Sequence, residues 1–188
     1  MKNASTTVII TGPTGVGKTT LVHKICSALR DKGRILQGFY TEEVRGEGIS
    51  QRIGFDVVTL SGKRGILSRE NPGDQLRRPK VGKYSVFVRD FESLALPLLG
   101  IEDSQPEPDL LVVDEVGKME LLSKRFESAM ADLLKEKRTL LVTIPERSTV
   151  DLVERLRNSA GSNIYQVTRS NRNILAGEII EQITKSLL

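Results

Sequence analysis

Apolar residues follow two alternating rhythms along most of this 188-residue chain. Short runs without a polar break, Thr7-Val8-Ile9-Ile10, Leu110-Leu111-Val112-Val113 and Thr139-Leu140-Leu141-Val142-Thr143-Ile144, read as strands buried on both faces. Segments with apolar positions three and four apart follow them and read as helices. Leu21, Val22, Ile25, Cys26 and Leu29 predict a helix that ends at Asp31-Lys32-Gly33. Met119 to Glu136 predicts a long amphipathic helix with Leu122, Phe126, Met130 and Leu133 inward. Leu152, Val153 and Leu156 give a short helix, Ile164–Val167 the last strand, and Ile174 to Leu187 a closing helix. Phe91 to Leu99 reads as a short helix despite Pro97, and Gln105-Pro106-Glu107-Pro108 as a surface connector.

Between Phe39 and Val88 the rhythm changes. Gly38-Phe39-Tyr40-Thr41 starts a strand, Ile53 to Leu60 alternates as another, and Ser61-Gly62-Lys63-Arg64-Gly65 is a turn from which Ile66-Leu67 pairs back. Lys83 to Val88 is a further strand candidate. Strands alternating with helices predict an α/β sheet that is mostly parallel. Consecutive strands without helices predict an antiparallel insertion at one edge, about residues 39–90 of a single domain spanning 1–188.

Composition leaves this picture intact. Hydrophobic residues make up 38% and charged residues 28%, as in ordinary globular proteins. No apolar stretch approaches the ~20 residues of a membrane span. The first residues hold one lysine and a brief apolar run before Gly12-Pro13, which is no secretory signal. The single cysteine, Cys26, sits on an apolar helix face and reads as packing; a reducing, intracellular and cytoplasmic setting is expected. A net charge of +4 invites a nucleic-acid reading. The basic residues are dispersed, however, apart from Arg77-Arg78-Pro79-Lys80 with Lys83 nearby, and 4% aromatics without Trp make a poor base-stacking platform. A small nucleotide is therefore the expected partner, with no membrane, no nucleic acid, and a monomeric chain.

The candidate chemistry begins at Gly12-Pro13-Thr14-Gly15-Val16-Gly17-Lys18-Thr19, which fits G-x-x-x-x-G-K-[ST], between a predicted strand and a predicted helix. Glycines let successive backbone N–H groups turn inward as a nest for phosphate oxygens. The helix start adds unpaired amides and the positive end of its dipole. Lys18 supplies a cation for the β- and γ-phosphates, and the Thr19 hydroxyl is a Mg²⁺ ligand. Asp114 and Glu115 end a fully apolar run, the Walker B pattern. Asp114 is suited to hold the same Mg²⁺, and Glu115 to aim water at the γ-phosphorus; helix capping by this acidic pair is the plainer alternative. Lys118, at the next predicted helix start, opposes the dipole unless it meets an anion. It faces phosphate, supports Glu115, or points to solvent. Asp114-x-x-Gly117 also fits the D-x-x-G of regulatory GTPases, but no N-K-x-D accompanies it, so guanine selectivity is not expected.

Other candidates remain open at this level. Arg172, in Asn171-Arg172-Asn173 after the last strand, is placed to stack on a base while Asn173 caps the closing helix. Glu42, Glu43 and Arg45 end the second strand, a region that meets the phosphate acceptor in nucleotide kinases; Arg45, Arg52 and Arg77 are rivals for an arginine finger. Thr143 either bonds water or phosphate or is simply a strand former. His23 is expected on the outer surface of the first helix.

These motifs sit within longer strings: Gly38-Phe39-Tyr40-Thr41-Glu42-Glu43-Val44-Arg45, Arg52-Ile53-Gly54-Phe55-Asp56-Val57-Val58, Phe91-Glu92-Ser93-Leu94-Ala95, Val113-Asp114-Glu115-Val116-Gly117-Lys118-Met119-Glu120 and Asn171-Arg172-Asn173. With them the chain resembles, over nearly its whole length, the cancer-related nucleoside-triphosphatase family and its thermostable microbial relatives. The resemblance implies a P-loop NTPase fold, a three-layer α/β sandwich around the mostly parallel sheet. It implies slow, Mg²⁺-dependent hydrolysis of ATP, GTP and other nucleoside triphosphates to diphosphates, with little base selectivity. Nucleotide contacts are implied at Gly12, Pro13, Thr14, Gly15, Val16, Gly17, Lys18 and Thr19, and along Leu111, Val112, Val113, Asp114, Glu115, Val116, Gly117 and Lys118. Lys18, Glu115 and Lys118 are the catalytic candidates. Pro145-Glu146-Arg147-Ser148 carries no assigned role. The alternatives are transfer of phosphate to a nucleoside, nucleotide or RNA end, and a switch in which hydrolysis times a conformational change.

Overall fold

The computed structural model describes residues 6–48, 50–100, 106–136 and 138–188. Five parallel strands form the core of one nine-stranded sheet: β1 (Thr7–Thr11), β2 (Leu36–Arg45), β7 (Leu110–Asp114), β8 (Leu140–Thr143) and β9 (Ser162–Gln166). Their spatial order is β2-β7-β8-β1-β9. The remaining strands, β3 (Arg52–Thr59), β4 (Arg64–Arg69), β5 (Lys80–Val81) and β6 (Tyr84–Val86), extend the sheet antiparallel beyond β2. The expected insertion is thus continuous with the core. Its junction lies inside β2: Leu36 to Tyr40 pair with β7, and Phe39 to Arg45 pair with β3.

Alternation in the central strands divides the core between two faces. Val8 and Ile10 pack with α1 (Lys18–Asp31) and α5 (Leu175–Ser186), whereas Ile9 faces the side of α2 (Val88–Leu99), α3 (Lys124–Leu133) and α4 (Asp151–Arg157). On the second face Phe39, Phe91 and Phe126 meet edge to face with centroids 5.1–6.0 Å apart. Burial of three such rings is a large part of what fixes β2 against the helices. No helix among the described residues is long and apolar enough to cross a membrane.

Several boundaries differ from the sequence pattern. The helix expected over Met119–Glu136 is broken. A 3-10 turn covers Glu120–Leu122, and α3 starts only after Ser123, whose Oγ accepts from Phe126 N (3.0 Å) as an N-cap. The break rotates the chain, so that Leu121 is buried and Leu122 only partly so. Lys83 turns between β5 and β6 instead of starting a strand, and Val88 opens α2. Gln105 of the expected connector lies outside the described residues. Cys26 is buried as expected, which pushes its thiol up to about 11.

Candidate active site

The phosphate loop leaves β1 at Gly12. There φ is +151°, and a Cβ would stand 2.6 Å from the carbonyl oxygen of Val167 beyond β9. Only glycine allows that approach. Gly17 (φ +108°) then serves as the N-cap of α1. No acidic residue occupies the first turn, and among the described residues no side chain caps it. The opening amides of α1 are left for an anion, as the sequence reading requires. Lys18 Nζ donates to the carbonyl oxygens of Gly12 (2.9 Å) and Pro13 (3.3 Å), which holds the ammonium over the loop.

Because β8 separates β1 from β7, the Asp114 carboxylate is reached across an intervening strand. Thr143, at the end of β8, makes the bridge: its hydroxyl donates to Asp114 Oδ1. The Thr19 hydroxyl stands close by on the opening turn of α1 and, like Thr143, favours the charged form of Asp114. Main chain reinforces the link, since Val116 N donates to Thr143 O at 2.9 Å. Asp114 is 2% exposed, and its Oδ2 has no hydrogen-bond partner among the described residues. Burial pushes its carboxyl up, against the two hydroxyls and the charges of Lys18 and His23. A buried carboxylate oxygen with no partner, next to a threonine hydroxyl on an anion-binding loop, is a hard-oxygen donor set that suits Mg²⁺. No group of three or more His, Cys, Asp or Glu gathers as a metal cage among the described residues.

Glu115 follows Asp114 through a cis peptide and lines the same cleft. Its carboxyl is also pushed up, first by burial and then by Asp114, while Lys18 opposes the rise. Glu120 completes the acidic group. It is 4% exposed, and its Oε2 accepts from Gly117 N at 3.1 Å. Burial, followed by the neighbouring Glu115, raises it to about 8. Gly117 lies between the two acids: a Cβ there would be 2.6 Å from Glu115 Oε1 and 3.0 Å from Glu120 Oε2. The sequence reading missed Glu120. Its signal was a glutamate three residues after Gly117 in an apolar run, the reach-back half of a capping box.

A group that holds its proton more tightly folded than unfolded stabilises the fold below its unfolded pKa and loses that contribution as pH rises through the folded value. With Glu120 at about 8 against an ordinary 4.5, stability in metal-free buffer is expected to fall across that range. The fall should be on the order of a few kcal/mol. Glu120→Gln keeps an acceptor for Gly117 N and should flatten the fall, read as chemical denaturation midpoints against pH. An unchanged slope would show that Glu120 is not held neutral.

The cleft that unites these groups has a volume of about 810 Å³. Thr14, Gly15, Gly17, Lys18, Thr19, Asp114, Glu115 and Lys118 all reach it. Pro13 and Val16 border a smaller cavity of about 360 Å³ on the other side of the loop. Leu111, Val112, Val113 and Val116 do not reach the cleft with their side chains; all four are core residues that carry the strand and its exit. Lys118 is exposed at the cleft, and no ion pair among the described residues joins it to Glu115.

The open alternatives separate in the structure. Arg45 is exposed and turned to Glu43 (3.0 Å) and to Ser50 O (2.6 Å), and Arg77 is exposed away from the cleft. Arg52 lines the cleft, bonded to Glu43 at 3.1 Å. His23 is exposed but faces inward: its ring meets Tyr40 edge on at 4.2 Å, at the cleft wall. Arg172 Nη1 donates to Val16 O at 3.4 Å, and the side chain lies along Gly17. Asn173 does not cap the last helix, which starts at Leu175 after Ile174 with no side-chain cap. Asn171 is the structural residue there: Oδ1 accepts from Thr168 N and Nδ2 donates to Gln166 O, both at 2.8 Å.

A family model described as NTPase matches residues 7–180. The chain is 45% identical to the human cancer-related nucleoside-triphosphatase, over 95% of this chain and 97% of that one. It is 40% identical to the nucleoside-triphosphatase THEP1 of Thermotoga maritima, over 92% of each. The solution structure of a human cancer-related nucleoside triphosphatase superposes with a TM-score of 0.80 at 44% identity, covering 97% of this chain and 99% of that one. The crystal structure of THEP1 from Aquifex aeolicus does so at 0.78 and 33%, covering 94% and 98%.

Proposed function

The chain belongs to the nucleoside-triphosphatase family, and from that premise we propose how its cleft works. It hydrolyses nucleoside triphosphates, ATP and GTP among them, to diphosphate and phosphate with Mg²⁺. The loop amides and the opening amides of α1 hold the phosphate chain. Lys18 exchanges the carbonyls of Gly12 and Pro13 for β- and γ-phosphate oxygens. Thr19 and Asp114 would hold Mg²⁺, which would supply charge neutralisation on the phosphate oxygens. Thr143 fixes the rotamer of Asp114 from the neighbouring strand. Glu115 orients the attacking water and takes its proton, and Lys118 offers a cation to the departing phosphate.

Arg172 lies against the loop with one guanidinium nitrogen bonded to Val16 O, and the planar group is taken to offer its face to the base. That favours stacking on any base, hence broad specificity. Slow turnover follows from Arg52: among the described residues lining the cleft it is the one arginine, and Glu43 holds it. An unrestrained finger is worth ~10³–10⁵ in rate.

The observation that carries this reading is the buried Asp114 carboxylate, held through one oxygen by Thr143 with the other unpartnered among the described residues, near Thr19 and beside Glu115 at the end of an uncapped phosphate loop. Phosphate release with Mg²⁺ and NTP, and no acceptor, tests it. The four common NTPs should be hydrolysed within about tenfold of one another, chelation should abolish release, and Asp114→Asn should lower kcat by about 10²-fold or more. Phosphate release that appears only with an added acceptor would replace hydrolysis by transfer.

A further inference from the structure

Apart from the restrained Arg52, one side of the cleft has no task in the hydrolysis proposed above. Its wall comes from the antiparallel strands, and its chemistry differs from that of the phosphate loop. Phe55 of β3 and Tyr84 of β6 are half-buried and meet edge to face at 5.7 Å. The Arg52 guanidinium lies 5.1 Å from the Phe55 ring, and Lys83 Nζ 5.5 Å from the Tyr84 ring. Each cation has an acidic partner, Glu43 for Arg52 (3.1 Å) and Glu70 for Lys83 (2.9 Å). Arg52 Nε is buried with no hydrogen-bond partner among the described residues. The wall is therefore aromatic with a cationic rim that retains an unused donor, a combination found where a ligand supplies the missing partner.

Sheet order places this wall on the far side of the γ-phosphoryl group. Arg172 approaches the phosphate loop from beyond β9, at one end of the core, and the wall begins beyond β2, at the other. A triphosphate whose base lies at Arg172 runs along the loop toward Glu115 and ends facing the wall. Tyr40 pairs with Asp114, the last residue of β7. Residues Thr41 to Arg45 continue past that edge, where Glu43 pairs with Phe55 and Arg45 with Arg52. A water molecule is all that hydrolysis needs there, whereas the cleft extends beyond the acidic pair to Phe55, Lys83 and Tyr84.

We propose that this wall is a subsite for a second ligand, a flat aromatic ring carrying a phosphate, seated beyond the γ-phosphoryl group; a mononucleotide is the simplest member of that class. The rings of Phe55 and Tyr84 take the heterocycle, and Arg52 and Lys83 take the anion. The inference rests on the reading that the phosphate loop holds Mg·NTP.

The test is calorimetric titration of AMP, GMP, CMP and UMP into the full chain saturated with Mg²⁺ and β,γ-imido-ATP. At least one should bind at one site per chain while the analogue stays bound. Phe55→Ala, and independently the surface variant Lys83→Ala, should weaken that mononucleotide about tenfold and leave the analogue's affinity unchanged, which also reports that the variants are folded. Absence of mononucleotide binding at millimolar concentration beside bound analogue would overturn the subsite and leave the triphosphate reading standing. Equal binding to both variants, or binding only by displacing the analogue, would overturn it as well. Failure of the analogue itself to bind would overturn both.

Discussion

Glu115→Gln is expected to bind Mg·NTP as tightly as the unaltered chain and to release phosphate ~10²–10⁴-fold more slowly, the range for loss of a positioned general base. The substitution keeps the volume and one acceptor oxygen of the side chain. It removes the ability to take a proton from water, and adds an amide donor where Gly117 and Glu120 crowd the carboxylate. Neither Lys18 nor the loop amides are touched, so ground-state binding should survive. Equilibrium binding of a labelled nucleotide and single-turnover phosphate release measure the two halves separately. Turnover within threefold of the unaltered chain would remove Glu115 from the chemistry and return the acidic pair to a structural role.

Gly38→Ala should be among the most damaging single changes to stability. Gly38 sits in β2 at φ +135°, and a Cβ there would lie 1.9 Å from Val112 O, 2.7 Å from its carbonyl carbon and 2.8 Å from its nitrogen. All three are backbone atoms of β7, so no rotamer change relieves the contact. The strand pair must part or shift, next to Phe39 and two residues from the Tyr40–Asp114 pairing. A loss above ~4 kcal/mol is expected, which for a chain of this size lowers Tm by roughly 10 °C or more, or prevents recovery of folded protein. Gly177→Ala is the control. That glycine lies within α5, and an added Cβ meets nothing within 4 Å. A gain of up to ~1 kcal/mol is expected there from helix propensity and the less flexible unfolded chain. Similar denaturation midpoints for the two variants would show that the close approach of β2 to β7 is misplaced.

Features encoded by neighbours along the chain were legible in the sequence. The phosphate loop, Asp114 and Glu115, the parallel strands and the antiparallel change of rhythm all come from local pattern, and the structure brings the loop and the acidic pair into one cleft. Features that depend on which strands become neighbours were not. Thr143 could be read equally as strand former or site residue until β8 was found between β1 and β7. Arg45, Arg52 and Arg77 are not ranked by sequence, because the choice turns on hairpin register, on which side of Glu43 each guanidinium lies, and on Arg77 standing outside the cleft. The periodicity that suggested one helix from Met119 to Glu136 passed over Ser123, where a side-chain cap outweighs continuation of the helix. His23 is exposed, as its place on the helix predicts, but its contact with Tyr40 at the cleft depends on another element and is not legible from α1 alone.

β2 belongs at once to the parallel core and to the antiparallel sheet, as an unbroken ten-residue strand. A jaw that opened between the phosphate loop and the aromatic wall would have to bend this strand where Phe39 is locked among Phe91 and Phe126. The gap is therefore spanned by continuous sheet. Whatever enters is measured against a span built into the sheet.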